Sequence, residues 1–115
     1  MRYMWGSVLL AAAASLSPVA TASQDEASFF CYWVDGAHKQ AAITDLFPGR
    51  VAQADDISAQ FAKAMRKEDQ GKGRVYDCGW RRDAVQAAQD REHLRTAHAS
   101  QGYAVADIDW DPIDG

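Results

Sequence analysis

Residues 28–34 form the densest apolar run that follows the first part of the chain, and they constrain the fold more than any other stretch. Almost all of them favour β-structure, and both alternating faces of the run are apolar. A strand buried on both sides has this composition, so we predict the central strand of a small sheet. The alternative is that one aromatic face is exposed for binding. Burial is favoured because aromatic runs usually belong to cores.

Cys31 lies in this run, and Cys78 is the second of only two cysteines in the chain. Two cysteines in an exported chain favour a disulfide, and two cysteines allow a single pairing. They do not form a Cys-x-x-Cys pair, which argues against a thioredoxin-like redox role. In the chain-entropy treatment, a disulfide that closes a loop of this length stabilises the fold by about 4 kcal/mol.

The N-terminal residues have the pattern of a removable leader. An apolar, Ala-rich run over residues 5–16 is followed by Pro18 and by small residues that predict cleavage after Ala22. A membrane anchor is the alternative, but the run is shorter than the roughly 20 residues that span a bilayer. We therefore predict a signal peptide over residues 1–22. Residues 23–115 are predicted to form one small disulfide-linked domain in the periplasm or outside the cell.

The charge balance restricts the partners. The chain has 12 Lys and Arg against 16 Asp and Glu, with a net charge of −4 at pH 7. Nucleic acids and anionic membranes attract clustered positive charge, so the balance argues against both. We expect no stable membrane insertion once the leader is removed, and we expect another protein as the partner.

A β-hairpin is predicted at the start of the domain. Asp35 and Gly36 form a tight-turn signal, and a second strand is predicted over residues 39–47. Pro48 and Gly49 are typical of a chain reversal and are predicted to end the hairpin.

The remaining patterns predict two helices and two more strands, in the order β-β-α-β-α-β. We expect a two-layer α+β domain with a mixed sheet of about four strands and both helices on one face. The predicted elements are a helix over residues 55–70 capped by Gly71, a strand over residues 74–80, a helix over residues 83–100 with Asp83 as N-cap and Gly102 beyond its end, and a strand over residues 103–110.

Metal and catalytic motifs are absent from the sequence. His93 and His98 are five residues apart on a predicted helix, so they do not face one ligand. Asp107, Asp109 and Asp111 resemble the start of a calcium loop but lack its glycine and its final glutamate. No Ser-His-Asp context, phosphate-binding glycine loop or dinucleotide fingerprint is present, so we predict no metal, cofactor or catalytic residue.

Arg91 is predicted to lie among alanines on the apolar face of the second helix. An arginine there either pairs with an acid or extends its head group to the edge. The candidate buried ion pair joins Arg91 to Asp77 or Asp107.

Three functions follow from these patterns, the first being favoured because catalytic motifs are missing. It is a small exported protein-binding module, such as an enzyme inhibitor, an immunity-type protein or an envelope accessory protein. The second is a small-ligand binder with an aromatic cleft, and the third is a hydrolase that uses Asp77 with Asp107 or Asp109. The candidate binding surface consists of Phe29, Phe30, Tyr32, Trp33, Tyr76 and Trp80.

Overall fold

A computed structural model describes residues 25–69 and 73–112 of the chain. Within these ranges, no helix is long and apolar enough to cross a membrane. The predicted signal peptide over residues 1–22 and the predicted helix cap Gly71 lie outside the described residues. In chain order the elements are β1 (Glu26–Asp35), β2 (Gln40–Thr44), β3 (Phe47–Arg50), a 3-10 helix (Val51–Gln53), α1 (Ala54–Asp69), β4 (Val75–Arg81), α2 (Ala84–Ser100) and β5 (Ala104–Ile108).

Strand β1 lies at the centre of one mixed sheet. Strand β4 pairs antiparallel with one edge of β1, and β2 and β3 pair antiparallel with successive parts of the other edge. Strand β5 pairs parallel with β2. The order across the sheet is therefore β4, β1, then β2 and β3 together, then β5. The predicted α+β class, with a mixed sheet of about four strands and two helices, is confirmed.

Helix α1 packs on the face of the sheet that carries the odd-numbered residues of β1. Its apolar stripe of Ile57, Phe61 and Met65 joins Phe29 and Cys31 in one buried cluster. Burial of a large apolar side chain contributes about 1.5–3 kcal/mol, so this cluster supplies much of the stability of the fold. Phe29 and Phe61 lose all of their exposed surface.

Helix α2 contacts the other face of the sheet. The strand register aligns Asp107 with Ile43 and Ile43 with Tyr32, so these side chains share the even-numbered face. Arg95 of α2 pairs with Asp107, and Ala87 of α2 has no exposed surface. The sequence pattern predicted both helices on one face of the sheet. The structure differs from this prediction, because each helix covers a different face.

The ends of α2 agree with the sequence pattern. Asp83 Oδ1 accepts hydrogen bonds from the amides of Val85 at 2.7 Å and Gln86 at 3.3 Å. The Asp83 side chain thereby satisfies amides that have no partner in the first turn of a helix. Gly102 has a φ of 90°, which glycine adopts at helix ends without a steric cost.

The second half of the predicted hairpin is wrong in one respect. The strand predicted over residues 39–47 is interrupted between β2 and β3, and Pro48 and Gly49 lie inside β3 instead of ending the hairpin. Within residues 25–69 and 73–112, β3 pairs with β1 only, and the missing amide of Pro48 costs no ladder hydrogen bond at this edge. Gly49 is required by close packing, because a Cβ there would lie 2.8 Å from the Phe29 ring.

The predicted disulfide between Cys31 and Cys78 is present. The two residues are directly opposite each other on β1 and β4, with their Cα atoms 4.0 Å apart. Cys31 has no exposed surface. The disulfide therefore links the central strand to an edge strand next to the main core.

Candidate functional site

The outer edge of β4 presents backbone groups whose direction follows from one hydrogen bond of β1. The Cys31 amide donates to Thr44 Oγ1 at 3.0 Å, so it points towards β2 and away from β4. In an antiparallel sheet, the amide and the carbonyl of one residue point to the same edge of its strand. Both groups of Cys31 therefore point away from β4, and Cys31 and Cys78 form a non-hydrogen-bonded pair. Their short Cα separation agrees with the closer spacing of such pairs. The amide and carbonyl of Cys78 therefore point away from β1.

The same orientation applies two residues away on each side. Tyr76 and Trp80 are in phase with Cys78, so their amides and carbonyls also point to the outer edge. In the part of the chain that the structure describes, β1 is the only strand that pairs with β4. Asp77 Oδ1 accepts from the Cys78 amide at 2.8 Å and covers that donor. The amides of Tyr76 and Trp80 and the carbonyls of all three residues remain directed outwards.

Three arginines lie over aromatic rings beside this edge. The guanidinium carbon of Arg74 is 3.7 Å from the centroid of the Trp33 ring. The corresponding distances are 5.2 Å from Arg66 to Tyr76 and 5.5 Å from Arg82 to Trp80. Each contact of this kind contributes about 0.5–1 kcal/mol at an exposed position. We call these six residues the edge cluster: Trp33, Arg66, Arg74, Tyr76, Trp80 and Arg82.

The chain segment that contains most of the edge cluster is basic, although the chain as a whole is acidic. Residues 63–82 contain seven of the 12 basic residues and three of the 16 acidic residues. This charge pattern is visible in the sequence, whereas the predicted binding surface contains aromatic residues alone. The basic residues are Lys63, Arg66, Lys67, Lys72, Arg74, Arg81 and Arg82.

Two residues of the predicted binding surface are buried. Phe29 has no exposed surface and Phe30 retains 5%, because a helix covers each face of β1. Neither can contact a partner, which corrects that part of the prediction. Tyr32 is half-buried on the face that α2 covers. The other predicted residues are partly exposed members of the edge cluster: Trp33, Tyr76 and Trp80.

Asp77 has a different partner from the one predicted. It lies opposite Tyr32 across β1 and β4. Burial raises the pKa of Tyr32, and the charge and the hydrogen bonding of the Asp77 side chain raise it further. Asp77 therefore lies beside Tyr32 while its Oδ1 accepts from the Cys78 amide.

Arg91 makes one strong contact and two weak ones. Its Nε donates to the Thr44 carbonyl oxygen at 2.6 Å, and its Nη2 lies 3.5 Å from Asp45 and 3.6 Å from Asp107. Asp107 is one of the two predicted acids, but its contact with Arg91 is not a buried ion pair, and Asp77 does not contact Arg91. The Arg91 side chain is only 17% exposed, but those of Asp45 and Asp107 are 99% and 75% exposed. Exposed ion pairs contribute little, so the hydrogen bond to Thr44 dominates.

The carboxylates of the hydrolase hypothesis are far apart. In the strand register, Asp77 lies opposite Tyr32, Tyr32 opposite Ile43, and Ile43 opposite Asp107. Three strand spacings therefore separate Asp77 from Asp107. At about 4.8 Å per spacing the backbones are roughly 14 Å apart. Paired carboxylates that hydrolyse a glycosidic bond lie about 5–9.5 Å apart. Asp77 and Asp107 therefore do not form such a pair.

The structure also bears on the aromatic cleft and on metal binding. A large open depression of about 640 Å³ lies beside Pro48, Gly49 and Arg50, and none of the aromatic residues of the edge cluster lines it. Among the described residues, no group of three or more His, Cys, Asp or Glu side chains is placed to hold a metal ion.

The chain was compared with models of known protein families, with curated proteins and with solved structures, and none of them matches it.

Proposed function

We propose that this chain is a small exported protein-binding module, of the kind that acts as an inhibitor, an immunity-type protein or an envelope accessory protein. The observation that carries the proposal is the edge cluster beside the outer edge of β4, with which no strand of the described residues pairs. Tryptophan, tyrosine and arginine are the residue types that most often dominate binding energy at protein interfaces. Here all three types lie together, next to backbone groups that have no strand partner in the described part of the chain.

The disulfide supports the proposal that the protein is exported. Disulfides persist in the periplasm and outside the cell and are rare in the cytosol. The Cys31–Cys78 bond links two paired strands of the same sheet. This supports the compartment that the leader pattern predicts.

The two alternative functions have less support from the geometry. Trp33, Tyr76 and Trp80 each pack against an arginine, and the depression of about 390 Å³ that Trp33 lines with Trp110 is open to the surface. A small-ligand site is normally a concave, mostly enclosed pocket. The hydrolase hypothesis loses one of its two predicted acid pairs, because Asp77 and Asp107 lie on strands that are three positions apart.

The proposal is tested by affinity capture from an envelope extract with the immobilised, oxidised protein. The test variant is Arg66→Glu and Arg82→Glu together, and the control variant is Lys39→Glu. Lys39 suits this role because it is also an exposed cation over a tyrosine ring, 4.8 Å from Tyr103. Tyr103 precedes β5, at the far edge of the sheet from β4.

We expect the oxidised protein to enrich a specific protein that the reduced, unfolded chain does not enrich. The double variant should lose most of this capture, and Lys39→Glu should retain it. The absence of any enriched protein would contradict the proposal. Equal capture by all three forms would contradict the assignment of the site to β4.

A further inference from the structure

We infer that the outer edge of β4 binds an extended, acidic segment of a partner protein as an additional strand of the sheet. The inference rests on the proposed protein-binding function and names the occupant of the site. It has two independent bases: the direction of the backbone groups of β4 and the charge beside them.

The backbone of β4 is suited to strand addition. The carbonyls of Tyr76, Cys78 and Trp80 and the amides of Tyr76 and Trp80 point away from β1 and have no strand partner among the described residues. A strand added to a sheet edge binds through main-chain hydrogen bonds to groups of this kind. Val75 is 64% exposed at one end of this edge and offers an apolar contact on the opposite face from the edge cluster.

The edge cluster specifies an acidic occupant. Arg66 lies over Tyr76 and Arg82 over Trp80, and the two aromatic residues are four positions apart on one strand. Four positions in a strand span about 13 Å, so an added strand presents two side chains to these arginines from positions k and k+4. Carboxylates at these positions can form charge-assisted hydrogen bonds with the guanidinium groups. The motif expected in the partner is therefore Asp or Glu at two positions four residues apart in an extended segment.

A second copy of this chain fits the edge less well. Two β4 edges would bring the arginines of both copies together, and like charges across adjacent strands are unfavourable. The acidic residue of β5, at the other edge of the sheet, is Asp107, and Arg91 and Arg95 of its own chain already contact it. An acidic segment of another protein would bring no additional arginines to this edge, and its carboxylates are not already bound to arginines of this chain.

Asp77 opposes binding and provides an informative variant. Its carboxylate covers the Cys78 amide, the middle one of the three outward amides, and adds negative charge beside the site. Charged side chains on an edge strand are a known protection against unwanted pairing. An acidic strand must displace this contact, so Asp77→Ala should tighten binding.

The experiment selects eight-residue peptides from a random displayed library on the immobilised, oxidised protein. We expect enrichment of peptides with Asp or Glu at positions four apart. Enriched peptides are then titrated against the protein, and amide hydrogen exchange is measured by NMR. The amides of Tyr76 and Trp80 should become at least about tenfold more protected, the usual consequence of strand addition at an open edge. The amides of Asp77 and Gly79 already face β1 and should change little.

Variants separate a specific site from general charge attraction. Arg66→Glu and Arg82→Glu should each weaken peptide binding by about tenfold, as expected for loss of a charged interface contact. Lys39→Glu should leave binding unchanged. Polyphosphate is the control for a polyanion without a peptide backbone, and it should not protect the amides of Tyr76 and Trp80.

Selected peptides without an acidic preference, or binding without protection of the Tyr76 and Trp80 amides, would overturn the inference. Formation of dimers at the concentrations used, with loss of peptide binding, would also overturn it in favour of a second copy of the chain. Failure of the inference is distinguishable from failure of the proposed function. If the Arg66→Glu, Arg82→Glu double variant still captures the partner, the strand-addition site is excluded. The proposed protein-binding function then remains supported.

Discussion

The side chain of Arg91 joins helix α2 to the end of strand β2, because its Nε donates to the Thr44 carbonyl oxygen at 2.6 Å. At this point the chain leaves β2 and continues into β3, so the regular sheet ladder is interrupted. A buried carbonyl without a donor is costly, and the arginine supplies the missing hydrogen bond. The ion pairs of Arg91 with the exposed carboxylates of Asp45 and Asp107 add little.

Arg91→Met should lower the free energy of unfolding by about 1–3 kcal/mol, since it leaves the Thr44 carbonyl without its donor. Arg95→Met is the matched control on the same helix. The partner of Arg95 is the exposed carboxylate of Asp107, so its loss should cost at most about 1 kcal/mol. Urea unfolding followed by tryptophan fluorescence measures both values. Equal losses for the two variants would contradict the dominant role of the Thr44 contact.

Thr44→Val should also destabilise the fold by about 1–3 kcal/mol, because it removes the acceptor of the buried Cys31 amide. Thr44 has no exposed surface, and valine preserves its shape while it removes the hydroxyl. Hydrogen exchange of the Cys31 amide should accelerate as well. Thr96→Val on the exposed side of α2 is the control and should change stability by no more than about 0.5 kcal/mol. A Thr44→Val protein as stable as this control would show that the amide finds another acceptor.

Reduction of the disulfide should lower the stability of the protein by up to about 4 kcal/mol, the value expected for a loop of this length. Cys31 and Cys78 lie on strands that already pair, so the reduced protein should keep the same strand register when it folds. Urea midpoints with and without reductant measure the effect. Identical midpoints would contradict the prediction.

Tyr32 should titrate above the ordinary tyrosine pKa of about 10. Burial raises the pKa of Tyr32, and the neighbouring Asp77 raises it further by its charge and by its hydrogen bond. Because the pKa is higher in the folded state, the associated stability is fully present below pH of about 10 and is lost as pH rises through the folded pKa. Ultraviolet difference titration should show a delayed step that moves to lower pH in Asp77→Asn and disappears in Tyr32→Phe. A titration that Asp77→Asn leaves unchanged would contradict this coupling.

Asp35 should contribute stability that is lost in acid. Burial raises the pKa of Asp35, but the hydrogen bonds from His38 outweigh this effect, and the pKa is lowered. The His38 amide donates to Asp35 Oδ1 at 3.1 Å, and the His38 Nδ1 lies 2.9 Å from Oδ2. A lowered pKa gives stability that is present above the unfolded pKa of about 3.9 and is lost as pH falls through the folded pKa.

His38→Ala should therefore move the acid loss of stability to higher pH. Urea midpoints measured across the acidic range test this. Asp35→Asn is the control, because its turn no longer carries a titrating carboxylate. An acid profile that is the same in His38→Ala and in the unmodified protein would contradict the role of the histidine.

Residues 28–34 show which features a local sequence pattern predicts and which features depend on tertiary contacts. Their β-forming composition and two apolar faces predicted the central strand, and the structure confirms its central position. The pattern did not show how each face is covered. Phe29 packs in the cluster with α1, and Phe30 lies on the face that α2 covers, so both are lost from the predicted binding surface. Side-chain alternation assigns residues to faces, whereas only the path of the chain decides which helix covers a face.

The candidate site was predicted in part, because the aromatic residues Tyr76 and Trp80 were identified from the sequence. The arginines that pack on them were not, since Arg66 comes from α1 and Arg82 from the segment that follows β4. The acid pair of Asp77 and Asp107 was plausible from sequence spacing alone. It failed because strand order, which a local pattern does not encode, placed β1 and β2 between the two acids.

The sequence by itself determined the elements with strong local signals: the aromatic strand, the helix that Asp83 caps, the turn at Gly102 and the single possible disulfide between Cys31 and Cys78. Periodicity, capping and cysteine number are local or purely combinatorial properties, so they can be obtained without coordinates. The tertiary structure alone decided the strand order, the separate faces covered by α1 and α2, and the outward direction of the β4 backbone. These features depend on contacts between residues far apart in the chain, such as the hydrogen bond from Cys31 to Thr44, and no local pattern specifies them.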